Sequence, residues 1–556
     1  MSTMLSDTAT TKKKPGWKAM PYILGNETFE RFATYGITIN LMVYLLGVFH
    51  MDQVFAANIV NVWIGLSNFT PVIGAFVADI FLGKFKSIAY ASFGTLLGMV
   101  MVTLTALVPS FHPPPCNSQQ QEHGKCIKHT NAQFGFLFGA LCLLAIGTGG
   151  IRPCSVPFSI EQFDQTTAEG RKGISSFYNW FYTSFTLVLL MNQTLVVYIQ
   201  SNISWALGFA LPTFFMICAI ILFFSGKNVY VHVQGDGNAS LDIAQVFVAA
   251  YKKRHLQLPV NEEEGAIFYD PTLKGVEEKA CLTRELRFLN KAALLEEKQM
   301  EENDLNKNPW RLCSIQQVEG VKCLMQMIPI CVSGIISFIP ITQQGTFPIS
   351  QALTMDRFLG SKFEMPAGSI TVISLITVAI WLPLYDRVLQ PALAKFTKQE
   401  EGLTSLQKIT IGNIFAILSM VVSGLMERYR RASALSGVTI SVMWLAPQFV
   451  AVGLCDLFNI VGHTEFYNKE CPVNMRIVSN SLLYLVLALS GYVSSLVLTV
   501  VHKVTGKHGR ADWMNNDLNA GRLDYFYFLL AGLAALNFVY FMICAHRYRY
   551  KTTVKA

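Results

Sequence analysis

The stretch WALGFALPTFFMICAIILFF, residues 205–224, runs through twenty positions without a charge. The hydrocarbon core of a bilayer takes about 20 mostly apolar residues per helix, so this stretch reads as a membrane span. Similar stretches recur on both sides of it. Twelve are countable, centred on 35–50, 58–82, 87–108, 132–150, 179–199 and 205–224, then on 321–341, 368–384, 406–426, 438–460, 479–501 and 525–543. The whole chain agrees: of 556 residues, 52% are hydrophobic and 14% charged, against about a quarter charged in soluble domains. A purely soluble enzyme is excluded, since several independent soluble cores would leave most of the apolar runs unexplained.

Several spans carry Gly, Pro, Asn or Gln, which helices around a polar cavity use and lipid-facing helices avoid. That favours a transporter over a simple anchor. The net charge of +8 fits basic cytoplasmic loops better than nucleic-acid binding, for which no basic motif with interleaved aromatics is present. Lys12, Lys13 and Lys14 have no apolar stretch and cleavage site after them, so no signal peptide is expected and the N-terminus is read as cytoplasmic. An even helix count returns the C-terminus to that side. Arg428, Arg430 and Arg431 run against this orientation.

A polar segment between residues 224 and 321, with YKKRH at 251–255 and EEKQMEEND at 296–304, divides the spans six and six. The expected organisation is a cytoplasmic tail (1–20), a six-helix half (21–225), a cytoplasmic linker (226–318), a second six-helix half (319–545) and a cytoplasmic tail (546–556). The linker is expected to be a partly helical tether. The fold class is all-α, and two six-helix halves around a midplane site resemble the major facilitator architecture.

Chemistry concentrates in Gly25-Asn26-Glu27-Thr28-Phe29-Glu30-Arg31-Phe32. Spacings of three and four put Glu27, Glu30 and Arg31 on one helical face. One ionisable side chain at the membrane centre costs about 2.5 to 3.5 kcal/mol on insertion scales, so three imply use, unless they snorkel at the interface. This E-x-x-E-R string resembles the proton-coupling motif of the proton-coupled oligopeptide transporters, and its surroundings resemble their plant branch, the nitrate transporter 1 / peptide transporter family. GAFVADIFLGK at 74–84, FYNWFY at 177–182, WRLCSIQQVE at 310–319 and YDR at 385–387 resemble further family segments in the same order. The details most resemble the subfamily of nitrate, glucosinolate, glycoside and hormone carriers.

The resemblance implies a twelve-helix major facilitator fold and proton-coupled symport by alternating access, with Glu27, Glu30 and Arg31 as the coupling group. It implies a central-cavity charge pair of Arg152 and Asp456, the latter where most members place Glu; the alternatives are a cytoplasmic-end cation and a packing carboxylate satisfied by Asn459. Three carboxylates against two guanidinium groups leave one uncompensated carboxylate in a low-dielectric setting, as a proton carrier requires. Glu27 and Glu30 are the candidates for that role.

Ile341 falls where some nitrate-carrying members place a histidine. Thr342, Gln343 and Gln344 beside it offer neutral donors and acceptors suited to a hydroxylated ligand, with Tyr44 or Phe338 offering apolar area for a sugar or terpenoid ring. Alternatively, these polar groups bond neighbouring helices. Ser87 falls at a family phosphorylation position, which would make a protein kinase a partner, or is a helix N-cap. Asn202-Ile203-Ser204 is a glycosylation sequon on the outside, and Asn238 heads another on the inside. Cys116 and Cys126 bracket a polar loop, as a disulfide on an oxidising face or as two free thiols.

The expected function is proton-coupled symport of a glycosylated or anionic plant metabolite, with nitrate and then a gibberellin-like hormone as alternatives. The expected partners are protons, the solute and membrane lipid, and no cofactor, metal or nucleic acid is expected. The membrane is read as the plasma membrane, with the vacuolar membrane as alternative. An enzyme would need a metal cluster or a nucleophile with its base, and neither H-x-x-x-H nor G-x-S-x-G occurs. A solute sensor without transport would have no need of proton coupling.

Overall fold

A computed structural model of the chain describes residues 14–116, 126–164, 167–231, 239–256, 258, 268–269, 282–283, 285–295, 308–360, 363–397, 403–471, 476–506 and 512–548. Its helices in chain order are α1 (Met20–Thr38), α2 (Leu41–Gly47), α3 (Gln53–Val77), α4 (Lys84–Leu107), α5 (Asn131–Glu161), α6 (Ala168–Met191), α7 (Trp205–Ser225) and α8 (Ala239–Lys252). They continue as α9 (Ile315–Ser337), α10 (Ile339–Gln344), α11 (Phe347–Leu353), α12 (Val372–Leu384), α13 (Gln390–Thr397), α14 (Ser405–Leu435), α15 (Ala446–Glu470), α16 (Arg476–Thr505) and α17 (Leu523–Arg547). The sheet among the described residues is one antiparallel pair, β1 (Phe358–Leu359) with β2 (Phe363–Glu364), in which Phe358 opposes Glu364.

Among the described residues, eleven helical stretches, from Gln53–Leu82 to Leu523–Arg547, are long and apolar enough to cross a membrane. α1 and α2 supply the twelfth and precede the others. The fold is an all-α membrane architecture with six spans on either side of the polar segment. The first span begins well before residue 35, at Met20, so Glu27, Glu30 and Arg31 lie in the body of a helix. Hydropathy hides this start because the three charges interrupt the apolar run.

Several starts are fixed locally. Thr130 with Gln133, Ser314 with Gln317 and Thr404 with Gln407 form reciprocal capping boxes at the N-termini of α5, α9 and α14. Each pair satisfies amide groups that the first helical turn leaves without partners.

Packing divides the chain into two units, Met1–Gly235 with Gly345–Val372, and Asp236–Gln344 with Ile373–Ala556. In the first unit, α3, α4 and α5 meet through small residues. A Cβ on Gly149 would lie 2.6 Å from the Thr70 Cβ, and one on Gly74 would lie 2.0 Å from the Gly149 carbonyl oxygen, so this crossing exists only because both are glycine. The Trp63 indole N–H donates to the Leu141 carbonyl at 3.0 Å and the Thr70 hydroxyl to the Ala145 carbonyl at 2.6 Å. Gly345–Val372 packs here as well, where the Ser369 hydroxyl donates to the Gln193 carbonyl at 2.7 Å.

In the second unit, α14 and α15 cross closely enough that a Cβ on Gly412 would lie 2.7 Å from the Asn459 side chain. The Asn537 amide on α17 donates to the Ser333 carbonyl and the Ser337 hydroxyl of α9, each at 3.0 Å. The described part of the linker is more than a tether. Val246, Ala249 and Ala250 of α8 share one buried cluster with Leu289, Ala292 and Ala293 and with Val318, Val321 and Leu324 of α9. The Asp242 carboxylate accepts from the Gln317 amide at 2.8 Å, and burial pushes that carboxyl above its ordinary range. The charge of the segment as a whole masks these few apolar positions. The EEKQMEEND string and Asn238 lie outside the described residues.

Candidate functional site

The body of α1 carries the charged face. Arg31 Nε lies 2.7 Å from Glu27 Oε1, one turn back along the helix. The Arg31 guanidinium also lies 4.4 Å from the Phe181 ring and 4.6 Å from the Phe185 ring, both on α6. A guanidinium held between two ring faces is fixed in direction as well as in charge.

Glu30, one position before Arg31, is fully buried. Its Oε1 accepts from the Thr34 hydroxyl at 2.9 Å, while its Oε2 and the Glu27 Oε2 have no hydrogen-bond partner among the described residues. Arg152, on α5, is half-buried with its guanidinium 5.8 Å from the Tyr35 ring of α1. Its charge reaches the Glu30 carboxylate, which also feels Arg31 and is repelled by Glu27. The first unit therefore gathers Glu27, Glu30, Arg31 and Arg152 in one network, with charges that cancel when both carboxylates are ionised. Burial of both carboxylates is incompatible with side chains that snorkel to the water.

Such a network can exchange a proton. A buried carboxylate with an open oxygen is neutral or ionised according to which cations face it, so proton uptake and local charge balance change together. Sequence spacing locates Glu27, Glu30 and Arg31 but passes over Thr34, Tyr35, Phe181 and Phe185. Thr34 and Tyr35 carry the same four-residue spacing from Glu30 and Arg31 and were readable from it. The two phenylalanines come from another helix; Phe181 lies in the FYNWFY string, whose spacing does not show what its rings face, and Phe185 lies beyond it.

Asp456 lies on α15 in the second unit. It is half-buried and has no hydrogen-bond or ion-pair partner among the described residues. The Asn459 amide donates instead to Cys455 Sγ at 3.4 Å, so Asn459 does not satisfy this carboxylate.

The expected ligand-lining residues divide sharply. Tyr44 is fully buried among Phe49, Trp205 and Phe209, and its hydroxyl is shared with Thr105 at 2.9 Å. Phe338 is fully buried beside the His463 ring at 5.4 Å. Both belong to the cores of their units. The Gln343 amide donates to the Ser494 hydroxyl of α16 at 2.5 Å, and the Gln344 amide to the Ser423 hydroxyl of α14 at 2.8 Å. These two side chains tie α10 to its neighbours. Thr342 is half-buried and donates to the Phe338 carbonyl at 3.1 Å, and Ile341 beside it is half-buried.

The comparisons agree with this frame. A family model described as POT family matches residues 85–514. The chain belongs to the POT family. It is 50% identical over 553 residues to Protein NRT1/ PTR FAMILY 2.13 of Arabidopsis thaliana, covering 98% of this chain and 89% of that one. It is 47% identical to Protein NRT1/ PTR FAMILY 2.12 of the same plant, covering 97% and 93%. Among solved structures, an auto-inhibited POT family peptide transporter superposes with a TM-score of 0.69 at 20% identity, over 97% of this chain and 99% of that one. The POT family transporter PepTSo superposes with a TM-score of 0.66 at 19% identity, over 95% and 98%. At these identities the structures establish the fold. POT family membership makes the chain a membrane transporter and not an enzyme.

Within this POT family chain, the remaining expected sites are placed as follows. Ser87 is buried, with its hydroxyl 3.4 Å from the Gly150 carbonyl across the α4–α5 crossing. A kinase could reach it only if that crossing opened. Lys84, three residues before it, pairs with Glu161 at the end of α5. Asn202 is exposed, and Cys116 and Cys126 are bonded to each other.

Proposed function

We propose that this chain is a proton-driven symporter of a small anionic solute, with a glycosylated plant metabolite foremost, across the plasma membrane by alternating access. The observation that carries the reading is Arg152. It is a half-buried guanidinium with an aromatic neighbour but no ion-pair or hydrogen-bond partner among the described residues. Such a cation suits an anionic substituent. The engagement of Gln343 and Gln344 by neighbouring helices leaves Ile341 and Thr342 as the partly open part of the expected lining, which weights the anion above the hydroxyl groups in recognition.

Proton coupling is assigned to Glu27, Glu30 and Arg31, with Glu30 as the exchanging carboxylate because it is fully buried and has an open oxygen. Nitrate is the second reading, carried by the same Arg152, although Ile341 supplies no imidazolium for it. The test is uptake in oocytes of a panel containing nitrate, anionic glucosides and gibberellins, at acidic and neutral outside pH. Acid-stimulated uptake of an anionic glucoside is expected. Uptake of nitrate alone would install the second reading, and binding without uptake of any solute would favour a sensor.

A further inference from the structure

We propose that the collar formed by α8, the 3-10 turn Arg287–Ala293 and Trp310 is a membrane-surface site for anionic phospholipid headgroups. Its inner side is the buried cluster described above. That cluster also contains Phe466, Tyr467 and Cys471 at the end of α15 and Phe541 near the end of α17, so the collar stands level with the ends of these helices and the start of α9.

The outer side of the collar combines rings and cations. Tyr251 is 67% exposed, Phe288 51% and Trp310 39%, although Tyr251 and Phe288 neighbour Ala250 and Leu289 of the buried cluster. Three contacts join them into one surface. The Arg254 guanidinium lies 4.3 Å from the Tyr251 ring, the Lys291 ammonium donates to the Arg254 carbonyl at 2.7 Å, and the Lys252 ammonium donates to the Trp310 carbonyl at 3.4 Å. Arg311 is exposed beside Trp310. Among the described residues, the exposed acid Glu285 beside the collar accepts from the Gln326 amide at 2.5 Å.

Aromatic rings level with helix ends form the belt that anchors proteins at the headgroup level, and long cationic side chains beside them reach the phosphates. Anionic headgroups complement this charge. An acidic protein partner would use the cations but gives no reason for three exposed rings level with the helix ends. Tyr251, Lys252 and Arg254 of YKKRH, which the transport reading leaves without a role, thereby become part of the lipid contact, while Lys253 is buried and donates to the Leu294 carbonyl.

The purified full chain is tested by native mass spectrometry with phosphatidylserine and phosphatidylcholine in competition. Wild type is expected to retain phosphatidylserine preferentially, the preference falling as salt is raised. Each surface cation is worth about a fivefold change in affinity, so K252Q/R254Q/K291Q is expected to lose about a hundredfold. The charge-conserving K252R/K291R keeps the preference, and the single variant R254Q gives a readable loss should the triple variant fail to fold. Inorganic phosphate is expected not to displace the lipid. Equal retention of both lipids by wild type, unchanged retention by the charge-removing variants, or release by phosphate would each overturn the proposal.

Discussion

Arg31 binds Glu27 across one turn of α1 at 2.7 Å, and Glu30 between them is left with the Thr34 hydroxyl and one open oxygen. The stable pair and the available carboxylate are thus adjacent on the same helix. A division of labour is proposed from this geometry: Glu27 and Arg31 hold each other, and Glu30 is the carboxylate that would exchange the proton.

Arg31 is expected to resist its usual conservative replacement. Lysine can pair with Glu27 but lacks the planar group that lies between the Phe181 and Phe185 rings. Arg31→Lys should therefore retain the fold and lose most uptake, while Arg31→Gln leaves a buried carboxylate unpaired and should also lower the thermal midpoint in detergent. Uptake rates and melting curves of the two variants check this, and a fully active Arg31→Lys would remove the rings from the account.

At the far end of α14, Arg430 is buried and bidentate to Glu427 at 2.7 and 2.8 Å, with the Asn519 side chain accepting at 3.0 Å. Removing one partner of a buried pair costs about 3 to 5 kcal/mol. Arg430→Ala and Glu427→Ala should each lower thermal stability strongly, and replacing both with apolar residues of similar size should cost less than either. Thermal unfolding in detergent distinguishes these outcomes.

The same residue shows where sequence reading runs out. Arg430 counts as a loop cation when charge is read along the chain, but its charge is consumed inside the unit. That Glu27, Glu30 and Arg31 share one face was legible because helical periodicity alone puts them there, whereas the exposure of Ile341 and Thr342 has no sequence signal. For Gln343 and Gln344 the structure shows the helix-bonding alternative: successive residues on a helix point about 100° apart, so the two adjacent amides reach two different helices. The first helix start was obscured by its own charges. Packing of α8 was obscured by the polar composition around it, and Tyr44 lost its expected role to Thr105 and three surrounding rings.

Arg152 and Asp456 are proposed to act together during transport. Arg152→Ala and Asp456→Ala should each impair uptake, and the double variant should be impaired less than the sum. A double-mutant cycle on uptake rates measures the coupling. Strict additivity would assign the two groups independent roles.

Ile341→His places a group that is cationic in acidic medium at a half-buried position. The ratio of nitrate to glucoside uptake should rise several-fold in acidic medium and return toward wild type at neutral pH, because imidazole loses its charge through that range. Competition uptake at the two pH values reads this directly, and an unchanged ratio would remove position 341 from the substrate path.

The central claim is that Glu30 carries the coupled proton. Glu30→Gln keeps the shape of the side chain and a group that can bond Thr34 but cannot ionise. The decisive measurement is uptake by this variant as a function of outside pH, with surface abundance measured in parallel. The account predicts normal abundance and complete loss of acid stimulation; wild-type acid-stimulated uptake by Glu30→Gln would contradict it.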